Sequence, residues 1–154
     1  MDWVTSIHQA IQYIEEHLRE ELTIREIAQQ AALSPFYFQK GFAMLCGMTV
    51  GDYIRQRRLS AAGLEVLTTD QKIIDIALEF GYDSPDSFTK AFTRFHGLTP
   101  AALRKSGGAV RSFAPLRIKV TLEGGQNMDC KIMKKEAFTV LLSLIHISEP
   151  TRRS

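Results

Sequence analysis

An all-helical fold is predicted for residues 1–105, and three observations predict it. The first is a stretch that the chain writes twice. Ser34-Pro35-Phe36-Tyr37-Phe38-Gln39-Lys40-Gly41-Phe42, with Gly47 and Thr49 behind it, returns as Ser84-Pro85-Asp86-Ser87-Phe88-Thr89-Lys90-Ala91-Phe92, with Gly97 and Thr99 behind it. Six identities, plus the paired prolines, keep one constant offset of 50 residues, which is the signature of a duplicated structural unit. The second is helical periodicity: Phe38, Phe42 and Leu45, and again Phe88, Phe92 and Phe95, recur at i, i+4, i+7. The third is punctuation. Ser34 and Ser84 are N-cap residues followed by a proline at the first helical position, and Gly47 and Gly97 are placed to close the helices.

The elements follow in order. A first helix is predicted from about Val4 to Glu20, with Val4, Ile7, Ile11, Ile14 and Leu18 on one face. Its acidic end, Glu15, Glu16, Glu20 and Glu21, opposes the helix dipole. Thr23 and Glu26 form a capping box for a short helix to Ala31, with Ile24, Ile27, Ala28 and Ala31 inward. After the first repeated helix, Thr49 caps a long helix to about Leu67 that carries Tyr53, Ile54, Leu64 and Leu67, a rod of roughly 27 Å at ~1.5 Å per residue. A second short helix spans about Gln71 to Phe80, with Asp70 as a candidate cap and Ile73, Ile76, Ala77 and Phe80 inward. The repeat offset drops to 49 at Ala28 and Ala77, so the second turn is one residue longer than the first. Thr99-Pro100 opens a final short helix.

Each unit is therefore a short helix, a tight turn and a longer helix with one free face, the helix-turn-helix plan, in which the N-terminal part of the second helix enters the DNA major groove. The free faces carry Phe36, Gln39, Lys40 and Ala43 in one copy and Asp86, Thr89, Lys90 and Thr93 in the other. The long helix holds the two units about one DNA turn, ~34 Å, apart.

Composition changes at Ser106-Gly107-Gly108, which reads as a linker over 106–114. Beyond it, Pro115 to Leu122 alternates apolar and polar as a strand does, Gly124-Gly125 breaks the pattern, and further strands are expected at Cys130 to Met133 and Ala137 to Leu142. This is the start of a β-containing domain over 115–142, too short to close a core alone.

Several classes are disfavoured. No apolar run is long enough to span a bilayer, and the N-terminus lacks the pattern of a signal peptide. Two cysteines, Cys46 and Cys130, make no disulfide framework, so a reduced, cytoplasmic setting is expected. His8, His17, His96 and His146 have no metal-ligand spacing, and no nucleophile–base constellation or phosphate loop is visible, so neither a metal, a cofactor nor an enzyme activity is expected. The whole chain has a net charge of +2, but residues 1–105 hold 11 Lys and Arg against 13 Asp and Glu, a net of −2. Any basic surface is local: Arg55, Arg57 and Arg58, with Lys40 and Lys90.

The span from Ile7 to Arg104 resembles the AraC/XylS family of bacterial transcription regulators. The resemblance rests on I-x-x-I-A from Ile24 to Ala28, the first S-x-x-x-F-x-K-x-F unit, and G-x-T-x-x-x-Y-I-R-x-R-R from Gly47 to Arg58. In the second half it rests on Ile76-Ala77, Phe80-Gly81-Tyr82, Ser87-Phe88, Phe92 and Gly97-x-Thr99-Pro100. It implies a seven-helix domain with two helix-turn-helix units joined by a long linker helix, bound to adjacent major grooves of double-stranded promoter DNA. By position, it implies base reading by Phe36, Gln39 and Lys40 in the first unit and by Asp86, Ser87 and Lys90 in the second. Family members often have a tryptophan or another residue where Phe36 stands, and a glutamine or arginine near Pro85 and Asp86, so the operator sequence does not carry over. The stretch Gly124 to Val140 is similar to the opening of a GyrI-like effector-binding domain, which implies a small-molecule effector in a longer protein. Residues 143–154, with Leu144-Ile145-His146-Ile147-Ser148-Glu149-Pro150-Thr151, read as a translated sequencing-library adapter, so a truncated second domain and a non-native tail are expected.

Each assignment has a plainer counterpart. Phe36 and Tyr37 are core residues if they turn inward. Gln39 is an adenine reader or an exposed amide, and Asp86 is an acceptor for a cytosine amino group or a second cap. The Arg55-Gln56-Arg57-Arg58 run is a solvated face, or positions phosphate with one or two of its arginines. RNA polymerase is a candidate partner alongside DNA, and no membrane is. The alternative function is a helical protein-interaction module that binds no specific DNA sequence.

Overall fold

The computed structural model describes residues 2–123 and 129–134. Seven helices come first: α1 (Trp3–Glu16), α2 (Ile24–Gln30), α3 (Pro35–Cys46), α4 (Val50–Thr68), α5 (Ile73–Glu79), α6 (Pro85–His96) and α7 (Pro100–Ser106). Two strands follow, β1 (Ile118–Glu123) and β2 (Asp129–Lys134). They pair antiparallel, with Ile118 opposite Lys134 and Glu123 opposite Asp129. The strand expected over Ala137 to Leu142 and the tail 143–154 lie outside the described residues.

The caps read from the sequence are formed. Ser34, Thr49, Ser84 and Thr99 each accept from the backbone N–H three residues on, and Thr23 and Glu26 close the capping box in both directions. Two boundaries differ. The helix α1 stops at Glu16, where the chain turns so that Leu18 is buried and the acidic residues that follow leave the helix. The helix α5 begins at Ile73 behind Lys72 with no side-chain cap, so Asp70 stands too early to serve it. Of the apolar residues that α4 carries, Leu64 is exposed.

There are two cores, and α4 belongs to both. Its first half supplies Val50, Tyr53 and Ile54 to a cluster with Ile7, Ile11, Ile14, Ile27, Phe38 and Phe42. Its second half supplies Leu59, Ala62 and Val66 to a cluster with Ile76, Phe80, Phe88, Phe92 and Leu103. Each fully buried phenylalanine contributes about 1.5–3 kcal/mol by leaving water. The second cluster also draws the end of α6 against α4. His96 is buried there, with Nε2 donating to Leu59 O at 2.8 Å and Nδ1 accepting from Arg111 N–H at 3.2 Å. Only glycine fits at position 63, because a Cβ there would stand 2.5 Å from the His96 ring.

Residues 108–114, read as linker, and 115–117, read as the start of a strand that instead begins at Ile118, lie against the helices. Phe113 and Leu116 are buried in the first core, and Val110 packs on the second.

The two turns match in geometry but not in sequence. Leu33 N–H bonds Ala28 O at 3.0 Å, and Tyr82 N–H bonds Ala77 O at 2.9 Å. Both turns place one residue in the left-handed region, Ala32 at φ 53° and Gly81 at φ 81°. The additional residue of the second turn is therefore Asp83, which comes after this shared geometry. A left-handed alanine costs about 1–2 kcal/mol, against about 0.5–1 kcal/mol of backbone entropy for glycine. Ala32→Gly is therefore expected to stabilise the fold by roughly 0.5–1 kcal/mol in urea denaturation. Gly81→Ala is expected to destabilise it by about 1 kcal/mol or more, because its Cβ would also meet the Arg58 guanidinium at 2.9 Å.

Burial holds the His96 imidazole below its ordinary value of 6.5; the bond to Leu59 O opposes this and Arg111 adds to it. The neutral ring is thus the folded form, and the unfolded chain takes up a proton first as pH falls. Stability from this group is expected to be full above about pH 6.5 and to decline below it, and His96→Gln should flatten that part of the stability–pH curve.

Candidate nucleic-acid interface

The helices α3 and α6 bury one stripe each and expose the rest. Phe38, Gly41, Phe42 and Cys46 face inward from α3, and Phe88, Phe92 and His96 from α6. The opposite faces open to solvent at the N-terminal turns, where orphan backbone N–H groups and a positive partial charge favour anions.

On α3, Phe36 is 64% exposed and Tyr37 62%, which excludes the core reading for both. Their rings meet edge to face at 5.6 Å, and Lys40 Nζ lies 5.5 Å from the Phe36 ring. Gln39 is exposed and turns its amide back to Pro35 O at 3.3 Å, a bond it must release to reach a base. On α6, Asp86, Ser87 and Lys90 are exposed. Ser87 closes the cap with Ser84: its N–H donates to Ser84 Oγ at 3.2 Å and its hydroxyl to Ser84 O at 3.0 Å. The second-cap role considered for Asp86 thus falls to Ser87, and Asp86 is left as an exposed acid in the first turn.

The arginine run separates into three different fates. Arg55 is exposed and pairs with Asp52 at 2.8 Å. Arg57 turns inward: it forks onto Glu15 through Nε and Nη2 at 2.7–3.1 Å and donates Nη1 to Phe113 O. Burial opposes its charge, but the Glu15 carboxylate outweighs that and the guanidinium stays ionised. Arg58 donates to Leu18 O at 2.8 Å and Glu20 O at 2.7 Å, capping the chain where it leaves α1. These bonds hold the Arg57 guanidinium within the protein and engage Nε and Nη2 of the half-buried Arg58, which leaves Arg55 the most exposed of the three.

The Glu15 carboxylate also accepts from Tyr53 O–H at 2.6 Å. Burial pushes the Tyr53 phenol far above its ordinary range, and the bond to Glu15 adds to the shift. A second set of charges ties the two halves: Arg19 pairs with Glu65 and Glu79, and Gln71 holds the other Glu79 oxygen at 2.6 Å.

Arg94 is a further exposed cation, one turn beyond Lys90 on α6. The i, i+4 step from Lys90 was the available signal for it. Its counterpart one repeat earlier is Met44, 72% exposed, beside an apolar groove of about 260 Å³ lined by Trp3, Val4, Tyr37, Lys40, Gly41 and Leu45. Among the described residues no group of His, Cys, Asp and Glu could hold a metal ion, and no helix is long and apolar enough to cross a membrane.

Known proteins share this architecture. The family model described as "Helix-turn-helix domain" matches residues 27–106. The regulatory protein SoxS of Escherichia coli is 40% identical over 98 residues, which cover 64% of this chain and 92% of SoxS. An HTH-type transcriptional regulator of Bacillus subtilis, YbfP, is 36% identical over 104 residues, but the chain spans only 35% of that protein's length. Among solved structures, the DNA-binding domain of the global transcriptional factor AdpA, in complex with a target DNA, superposes with a TM-score of 0.61 at 26% identity, covering 66% of this chain and 91% of that domain. These relatives are regulators rather than enzymes. With two capped helices presented from one shared rod, and with nearly the whole of SoxS matched, the chain belongs to the AraC/XylS family of helix-turn-helix transcription regulators.

Proposed function

We propose that the chain binds specific promoter DNA by placing α3 and α6 in adjacent major grooves, and that it acts in the cytoplasm. The observation that carries this reading is the repeat itself: Lys40 and Lys90 stand at the same position of two duplicated helices and both are exposed, while the phenylalanines beside them are buried. Phe36, Gln39 and Lys40 then read bases in one groove, with Phe36 offering an apolar contact to a thymine methyl and Gln39 a bidentate amide to adenine. Asp86, Ser87 and Lys90 read the next groove, where Asp86 accepts from a cytosine amino group. Arg55 and Arg94 contribute phosphate contacts, which fix register without carrying sequence.

The AdpA domain, solved on a target DNA at 26% identity, supports this assignment. RNA polymerase is the proposed protein partner. The β1–β2 hairpin supports the start of an effector-binding domain over 115–142, through which a small molecule would act in a longer chain.

The exposed apolar groove around Trp3, Tyr37 and Met44 favours the second reading, a protein-interaction module. Gel-shift titration on DNA selected from a random pool, at two salt concentrations, separates the two. Binding that ignores sequence and salt would favour the module. Under the DNA reading, Lys40→Ala and Lys90→Ala each weaken binding and relax the preference at the base that lysine reads, a loss of about 1–3 kcal/mol of discrimination. Their unfolding midpoints should stay at the wild-type value, because both side chains are solvent-exposed. Parallel losses of stability and affinity would instead place these lysines in the fold.

A further inference from the structure

The family match ends at residue 106, and the segment just beyond it is bonded into the molecule at four places. Arg111 N–H donates to His96 Nδ1 at 3.2 Å, at the C-terminal end of α6. Phe113 N–H donates to Ser60 Oγ at 2.9 Å, and Phe113 O accepts from Arg57. Leu116 N–H donates to the Tyr53 hydroxyl at 3.3 Å. The partners on α4, Tyr53, Arg57 and Ser60, fall at i, i+4, i+7, so they form one polar stripe along that helix. The segment runs antiparallel to the stripe, meeting Ser60 before Tyr53. Its apolar side chains divide between the cores: Val110 joins the second, and Phe113 and Leu116 join the first.

A backbone held at both cores resists change in the angle between them. The helix α4 alone is a single rod that can bend or twist, and Arg19, which ties the halves to Glu65 and Glu79, is half-exposed and therefore screened by salt. The bonds to residues 111–116 are buried or part-buried, and on the segment's side they are made by backbone groups. We propose that residues 108–117 are a brace that fixes the distance and rotational phase between α3 and α6, and that Tyr53, Arg57, Ser60 and His96 are positioning residues acting on DNA recognition through it. The proposal rests on the two-groove reading above. Its consequence is selectivity for spacing. One base pair inserted between half-sites moves the second groove by about 3.4 Å and about 34°, and a braced protein cannot follow.

The test uses the full chain and its selected DNA site, alongside the same site with one base pair added or removed between half-sites. The wild type is expected to bind the shifted sites about tenfold or more weakly. In Phe113→Ala/Leu116→Ala that ratio should shrink to about two- to threefold. The near-isosteric Tyr53→Phe/Ser60→Ala variant should move it the same way and decides the matter if the first variant fails to fold. A residue that merely supports the fold would weaken all sites in proportion and leave the ratio unchanged; that result overturns the brace. Distance distributions between site-specific labels at Met44 and Arg94 in the free protein should broaden in both variants, and unbroadened distributions also overturn it. A chain that selects no sequence from the random pool overturns the two-groove reading and this proposal with it.

Discussion

One helix serving two cores is the constraint on which the rest of the molecule depends. The helix α4 buries Val50, Tyr53 and Ile54 in one cluster and Leu59, Ala62 and Val66 in the other, so neither unit can rotate about it without opening a core. Between those apolar halves lies a polar section that most helices would leave to solvent. Here it is internal. Tyr53 and Arg57 share Glu15 from α1, and both also hold the chain that follows α7. The Glu15 carboxylate, only partly exposed, is held by a forked guanidinium and a phenol hydroxyl. Removing Arg57 would leave the Glu15 carboxylate, partly withdrawn from water, without its counter-charge.

Duplication explains the architecture, and divergence explains why the two units are not interchangeable. The buried positions are held: Phe38 and Phe88, Phe42 and Phe92. Solvent positions have drifted. Phe36 faces Asp86 across the repeat, Tyr37 faces Ser87, and Met44 faces Arg94. The first helix thus offers aromatic and apolar surface with one cation, and the second offers an acid, a hydroxyl and two cations. Such surfaces meet different base edges, since apolar groups favour thymine methyls while carboxylates favour cytosine amino groups. In the proposed complex, two such different helices suit an asymmetric target.

Local chemistry was legible in the sequence, and distant chemistry was not. Caps, prolines and closing glycines act within four residues, so the starts of α3, α4, α6 and α7 could be read directly. The stripes of phenylalanine were legible for the same reason. The end of α1 was not, because the burial of Leu18 and the capping of its carbonyl by Arg58 depend on a residue 40 positions away. Arg57 and Arg58 read as basic surface because nothing near them in sequence reveals Glu15 or Leu18. The segment proposed as a brace was the least legible. Its composition, Ser-Gly-Gly and then isolated apolar residues, is that of a tether, and its partners lie between 15 and 63 residues upstream. For the residues proposed to read bases, the sequence supplied position and exposure supplies access. Operator identity depends on side-chain reach into a groove, which neither provides.

The charge of this domain has to be read by face rather than by sum. A net of −2 over residues 1–105 would argue against a polyanionic partner if those charges were spread evenly. They are not. Glu15 is neutralised by Arg57, Glu65 and Glu79 share the one charge of Arg19, and Asp52 is paired with Arg55. What remains on α3 is Lys40 with no acid, and on α6 Lys90 and Arg94 against Asp86, so each helix carries one net positive charge. That excess is small. Few counterions are released by so few cations, and non-specific attraction to DNA is correspondingly weak. Discrimination in the proposed complex then rests on how accurately two modestly charged helices are held against two grooves. Accuracy of that kind comes from α4 and the contacts packed along it, so the interior network far from any base becomes a determinant of which sequence is read.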